Sequence, residues 1–182
     1  GANKDTVTVI ENANNLYNQN PDVAFVDGSG VAGYADEFNW LLEFADTHDL
    51  SVPENFAWIE SKLDLDSLID LCAVRVFFNA TDWPENNIKL WRDTAPDSAD
   101  ARWHFVLLDT DWGMGMKQTT GPEMNLLFIL LNYSNGTYTK DCPLTRLLHA
   151  LRANRTFDEK LIARFWSLAG YLNADRLNEE LD

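Results

Sequence analysis

The chain has 182 residues, a formal charge of −15 at neutral pH and an apolar fraction of 46%. That much apolar material, with seven Trp and ten Phe, is enough for one packed domain and excludes wholesale disorder. The acidity argues against a general nucleic-acid surface, which needs clustered Lys and Arg to release counterions, and no segment approaches the roughly 20 apolar residues of a membrane-spanning helix.

Residues 1–34 are polar, contain the turn cluster Asp27-Gly-Ser-Gly30, and carry a single helical hint from Thr6 to Leu16. They read as an N-terminal segment left from an upstream region, with the folded domain over residues 35–182. A start at Gly-Ala-Asn-Lys-Asp, without an initiator Met, suggests a fragment or processed form. Phe38, Leu41, Leu42 and Ala45 predict an amphipathic helix from Tyr34 to Leu50. Val52-Pro-Glu-Asn55 is expected to break it, and Phe56 to Leu63 to form a short helix or turn.

The firmest helix runs through Leu65, Leu68, Ile69, Cys72, Ala73, Val76 and Phe77, which repeat at helical spacing. Asp64 or Asp66 supplies its N-cap. Cys72 on that apolar face reads as a core thiol, and with Cys142 it makes neither a disulfide framework nor a zinc motif. The helix ends where Asn79-Ala-Thr-Asp82-Trp-Pro-Glu-Asn-Asn87 begins. Ile88–Arg92 and Arg102–Leu108 predict two strands around the solvated turn Thr94–Asp100, a hairpin that returns Asn87 toward Asp109 and Asp111. In extended backbone those two acids, two apart, face the same side. A loop with Gly113, Gly115 and Gly121 follows. The remainder is helical: Met124–Leu131, a helix opened by Pro143 and running to about Ala153, one capped by Thr156-Phe-Asp-Glu159, and a last one from Asp175.

Asp82, Asn87, Asp109 and Asp111 form the set that phosphoryl transfer requires. One carboxylate orients or deprotonates a hydroxyl, while an amide and a second carboxylate hold Mg²⁺ against ATP. Asp82 and Asn87 have the five-residue separation of the kinase catalytic loop, and Asp111-Trp-Gly113 reads as a variant of Asp-Phe-Gly. The same acids also suit an Asx turn or a Ca²⁺ site. Lys89 and Arg92 are candidates to approach phosphates, or the polar face of a hairpin. Trp83, Trp91, Trp103 and Trp112 are core residues or stacking platforms for adenine or carbohydrate. His48, His104 and His149 lack metal-ligand spacing and read as structural.

Asp64-Leu-Asp-Ser-Leu-Ile-Asp70, Asn79…Asn87, Ile88-Lys-Leu-Trp-Arg92, Leu108-Asp109-Thr-Asp111-Trp-Gly-Met-Gly115 and the tail from Pro143 to Phe165 together resemble, in order, the spore-coat-protein-H (CotH) kinase-like family. The resemblance covers roughly residues 35–182. It implies an α+β, predominantly helical, atypical protein-kinase-like C-terminal lobe with a small β-hairpin at the site. It further implies Mg²⁺ or Mn²⁺ and ATP as cofactors, protein Ser/Thr as acceptor, and an extracellular, cell-surface or spore-associated location. Asp82 falls at the catalytic position, with Asn87 and one of Asp109 and Asp111 as metal ligands. Leu108 stands where the family usually has Trp. The chain has no Gly-rich loop ahead of a strand and no Val-Ala-x-Lys, so it is expected to be the C-terminal lobe of a longer protein whose upstream lobe it needs. The alternative is a cell-surface or coat-associated binding module that keeps the kinase-like frame without catalysis.

Overall fold

The computed structural model describes residues 6–12, 25–28, 33–116, 125–131 and 142–179. Among them are four strands: β1 (Val7–Asn12), β2 (Phe25–Asp27), β3 (Lys89–Asp93) and β4 (His104–Val106). The helices are α1 (Tyr34–Thr47), α2 (Pro53–Glu60), α3 (Leu65–Phe77), α4 (Leu126–Leu131), α5 (Pro143–Leu151), α6 (Arg155–Tyr171) and α7 (Ala174–Glu179). The fold is α+β and predominantly helical, as expected. Ser29, Gly30, Gly121 and Met124 lie outside the described residues.

The strands form one antiparallel sheet in the order β2-β1-β3-β4. The expected β3–β4 hairpin is present, with Leu90 opposite Phe105. The helical hint from Thr6 to Leu16 is overturned over its described part: Val7–Asn12 is an inner strand, paired on both sides by β2 and β3, and residues 13–16 lie outside the described residues. Val7-Thr-Val-Ile is β-branched throughout, which favours extended backbone, and its period of two buries Thr8 and Ile10. The polar N-terminal segment thus contributes the strand that anchors the hairpin.

Asp27 ends β2 and caps α1, its carboxylate accepting from the backbone N–H groups of Gly33 at 3.0 Å and Ala35 at 2.9 Å. The expected break is present, α1 ending at Thr47, and Pro53 then opens α2 three residues ahead of the expected Phe56, because a first-turn residue needs no N–H donor. The cap of α6 is Asn154, not Thr156. Its side chain accepts from the N–H groups of Thr156 and Phe157, which moves the helix start forward. Ile10, Phe38, Leu68, Cys72, Leu90, Trp103, Leu148 and Leu161 belong to one continuous core shared by sheet and helices. Burial pushes the Cys72 thiol up to about 12, so it is an inert core group.

Candidate functional site: a carboxylate cluster on a buried arginine

The run Asp64-Leu-Asp-Ser-Leu-Ile-Asp70 explains how α3 is fixed. Asp64 caps the helix through the N–H of Asp66, and its other oxygen meets His104 Nδ1 at 2.9 Å on β4. Ser67 Oγ accepts from the N–H of Phe105 at 3.1 Å. Two of the motif's polar groups thus hold the hairpin against the start of α3. The other two acids face α6, with Asp66 3.8 Å from Lys160 and Asp70 3.1 Å from Arg164. These outer pairs are exposed and contribute little individually. The inner contacts set where the hairpin lies, and therefore where the chain beyond it emerges.

Arg75 sits at the other end of α3 and is fully buried. Its guanidinium donates to the carbonyl of Asp109 at 2.7 Å, to that of Asn87 at 3.3 Å, and closely to that of Leu108. One planar, always-charged group therefore ties the end of the 79–87 loop to the start of the 108–115 loop. Burial lowers its basicity, while the charges of Asp82 and Asp109 support the cationic form. Arg75 is not among the residues expected from the sequence. The available signal is a lone Arg at i+3 and i+4 from Cys72 and Leu71 on an otherwise apolar face, where an unpaired charge is prohibitively costly.

Asn87 Nδ2 donates to Asp82 Oδ2 in a close side-chain contact, so the acid and amide five residues apart do meet. The other oxygen, Asp82 Oδ1, is buried and has no hydrogen-bond partner among the described residues. Leaving such an acceptor unmet costs about 1–3 kcal/mol. The loop is braced from the N-terminal strand: Asn12 Nδ2 donates to the Glu85 carbonyl at 2.6 Å, and Asn12 N to the Ile88 carbonyl at 3.1 Å. Asn79, Asn87 and Asp109 all adopt positive φ, at 52°, 59° and 51°. Asn and Asp tolerate that conformation best among non-glycine residues, so backbone geometry alone favours these residue types here.

Asp109 and Asp111 come together, but not as alternate residues of a strand. β4 stops at Val106, and a turn with Asp109 in the left-handed region brings the two carboxyls into contact. The hydrogen bond that a protonated Asp109 donates to Asp111 raises the Asp109 carboxyl above its ordinary range, reinforced by slight desolvation and by the charges of Asp111 and Asp82; Arg75 opposes the shift. Asp82 and the Asp109–Asp111 pair thus lie within one electrostatic neighbourhood. Gly113 is sterically required beside them, since a Cβ there would lie 2.7 Å from the Phe78 carbonyl oxygen. The Met114 N–H donates to that same oxygen at 2.6 Å, docking the acidic loop on the end of α3.

Lys89 and Arg92 are engaged elsewhere. Lys89 Nζ is 3.2 Å from Glu11 on β1, and Arg92 Nη1 is 2.8 Å from Glu37 on α1. The Arg92 guanidinium also lies over the rings of Tyr34 and Trp103, at 5.1 and 5.0 Å from their centroids. Trp83 and Trp103 are buried core residues, and Trp91 stacks on His104 at 4.7 Å.

Among the described residues no three His, Cys, Asp or Glu side chains gather closely enough to enclose a metal ion. Two adjoining carboxylates and a nearby amide are nevertheless a set suited to Mg²⁺, which prefers oxygen donors and takes only one or two carboxylates beside water and phosphate oxygens. The crowding of like charges at Asp109 and Asp111 is what a divalent cation would relieve.

The arrangement brings oxygen-bearing side chains together beyond the open end of the β3–β4 hairpin, against the C-terminal end of α3. Residues 14–182 match the family model described as CotH kinase protein, and the chain belongs to that family. No curated protein and no solved structure matches it. No helix among the described residues is long and apolar enough to cross a membrane.

Proposed function

We infer that the chain forms the catalytic and metal-holding lobe of an atypical protein kinase, which moves a phosphoryl group from Mg-ATP to a protein Ser or Thr in concert with an upstream lobe. The observation that carries this reading is the Arg75 clamp. It holds the Asp82–Asn87 loop and the Asp109–Asp111 loop side by side, the juxtaposition that phosphoryl transfer demands.

In this reading the Asp82 carboxylate orients the acceptor hydroxyl and takes up its proton as the phosphoryl group departs from ATP. The Asn87 donor fixes the Asp82 rotamer, and its amide oxygen stays available as a ligand. Asp109 and Asp111 hold the cation, with Gly113 setting the height of their loop above α3. The cation, when bound, neutralises charge on the phosphate oxygens. Export to a cell surface or spore coat belongs to the same proposal.

Radiolabelled ATP and the full-length protein test it. Asp82→Ala is expected to reduce phosphate incorporation by at least about a hundredfold. Calorimetry with Mg-ATP on the same protein separates this from a binding module without catalysis. Heat lost in both Asp109→Ala and Asp111→Ala supports the kinase, whereas incorporation that survives Asp82→Ala removes Asp82 from the mechanism.

A further inference from the structure

A second site lies away from the carboxylates. Glu37, Trp40 and Leu41 of α1, Trp58 of α2, Lys62, Arg92 and Trp103 line a cavity of about 330 Å³. That volume is within the range of small-ligand pockets. We propose that this cavity binds a segment of β-linked oligosaccharide, stacked on Trp58 and Trp40 and hydrogen-bonded at its rim to Glu37, Arg92 and Lys62.

The aromatic surface is unusual for a folded chain. Trp40 is 66% exposed and Trp58 38% exposed, although both are large and apolar. Trp58 is backed by Phe44, with ring centroids 4.2 Å apart, and Phe44 by His48 at 3.8 Å. That stack holds the Trp58 indole rigid. Trp40 follows Glu37 by one helical turn, so the carboxylate and the indole share a face of α1. Rigid aromatic faces provide contact area at low entropic cost to the protein.

The polar rim selects the ligand class. Glu37 is an acceptor, whereas Lys62 and Arg92 are donors, so the rim can meet groups that both donate and accept. Arg92 Nε is buried without a hydrogen-bond partner, an unmet donor on a residue that lines the cavity. Among the described residues Lys62 has no ion-pair partner, leaving two cations against one carboxylate. That excess disfavours a quaternary ammonium or other cationic guest, which an aromatic cage alone would suit. A wholly apolar guest would leave the Lys62 ammonium and Arg92 Nε without an acceptor and would desolvate the Glu37–Arg92 pair. A pyranose fits both halves of the wall: its C–H face lies on an indole and its equatorial hydroxyls spread to the rim. In β-linked chains those faces are displayed flat, which suits two tryptophans on adjacent helices.

The site uses none of Asp82, Asn87, Asp109 and Asp111, so it stands independently of the kinase reading. The test is calorimetry and tryptophan fluorescence on the chain with three probes, all β-1,4-linked hexamers: of glucose, of xylose and of glucuronate. Saturable binding of at least one, weakened about tenfold or more by Trp58→Ala and by Trp40→Ala but not by Trp166→Ala, supports the assignment. Trp166 is exposed on α6 outside the cavity and serves as the spectroscopic control. Preference for the glucuronate hexamer that Lys62→Ala removes would place an acidic sugar at that ammonium; preference for a neutral hexamer would place a neutral sugar there. Binding of no probe up to about 10 mM, near the weakest affinity such contacts give, overturns the proposal. So does binding unaffected by both Trp40→Ala and Trp58→Ala, provided each variant keeps the parent's circular-dichroism spectrum.

Discussion

The Arg75 guanidinium donates to the carbonyl of Asp109 at 2.7 Å, across 34 residues of sequence. The same group reaches the carbonyls of Asn87 and Leu108. Removing it leaves three carbonyl groups short of a donor and withdraws the positive charge that faces Asp82 and Asp109. Arg75→Met is expected to destabilise the chain by about 3–5 kcal/mol, the usual cost of breaking a buried charge network. Thermal unfolding should show Tm lower by about 10 °C or more for a domain of this size. Arg75→Lys, which keeps the charge but cannot span the carbonyls, should recover only part of that loss. A Tm unchanged in Arg75→Met would mean that the two loops are held by other contacts.

Gly113 approaches the Phe78 carbonyl so closely that a methyl group requires backbone movement. Gly113→Ala is expected to cost about 1–3 kcal/mol as overpacking. Because the displaced loop carries Asp111, Mn²⁺ affinity measured by calorimetry on the full-length protein should fall along with stability. A variant that loses stability while keeping full affinity would separate loop docking from cation holding.

Asp109 and Asp111 meet at one turn, where their mutual hydrogen bond first and their like charges after it raise the Asp109 carboxyl. Asp109→Asn removes the repulsion, so the metal-free protein should be as stable as the parent or slightly more so. Under the proposed cation-holding role, Mg²⁺ or Mn²⁺ should raise the Tm of the parent through ligand linkage, and that rise should be absent in the variant. A variant destabilised without metal would show instead that the Asp109 charge supports the fold.

Asp100 provides a pH prediction away from the site. Hydrogen bonds and ion pairing with Arg102 hold its carboxyl at about 2, below the ordinary range. A depressed carboxyl contributes stability above its ordinary value and loses it as pH falls toward about 2. The pair is more than one-third exposed, so the contribution to stability is small. Carboxyl-carbon NMR should show Asp100 titrating near 2 in the parent and returning to the ordinary carboxylate range in Arg102→Ala.

Several parts of the fold and site are legible in the residues themselves. The period of Leu65 to Phe77 marks α3, because an apolar stripe can be buried only at helical spacing. The hairpin and the meeting of Asp82 with Asn87 follow from local pattern and short separation. Other parts mislead for physical reasons. Thr6–Leu16 hints at a helix because its strand register depends on β3, which lies far along the chain. The short helix expected from Phe56 begins at Pro53, whose ring both separates it from α1 and suits a first helical turn.

By itself the sequence determined the order and spacing of the candidate carboxylates and amides, since spacing along the chain fixes which of them can be neighbours on a loop. Tertiary structure alone decided how the loops meet and which cations remain for ligands. The Arg75 clamp, the close approach of Gly113 to Phe78, and the capture of Lys89 by Glu11 and Arg92 by Glu37 all join segments distant in sequence. Hydrogen bonds and ion pairs act over a few ångströms of space, and a one-dimensional pattern does not encode such distances until the core has packed.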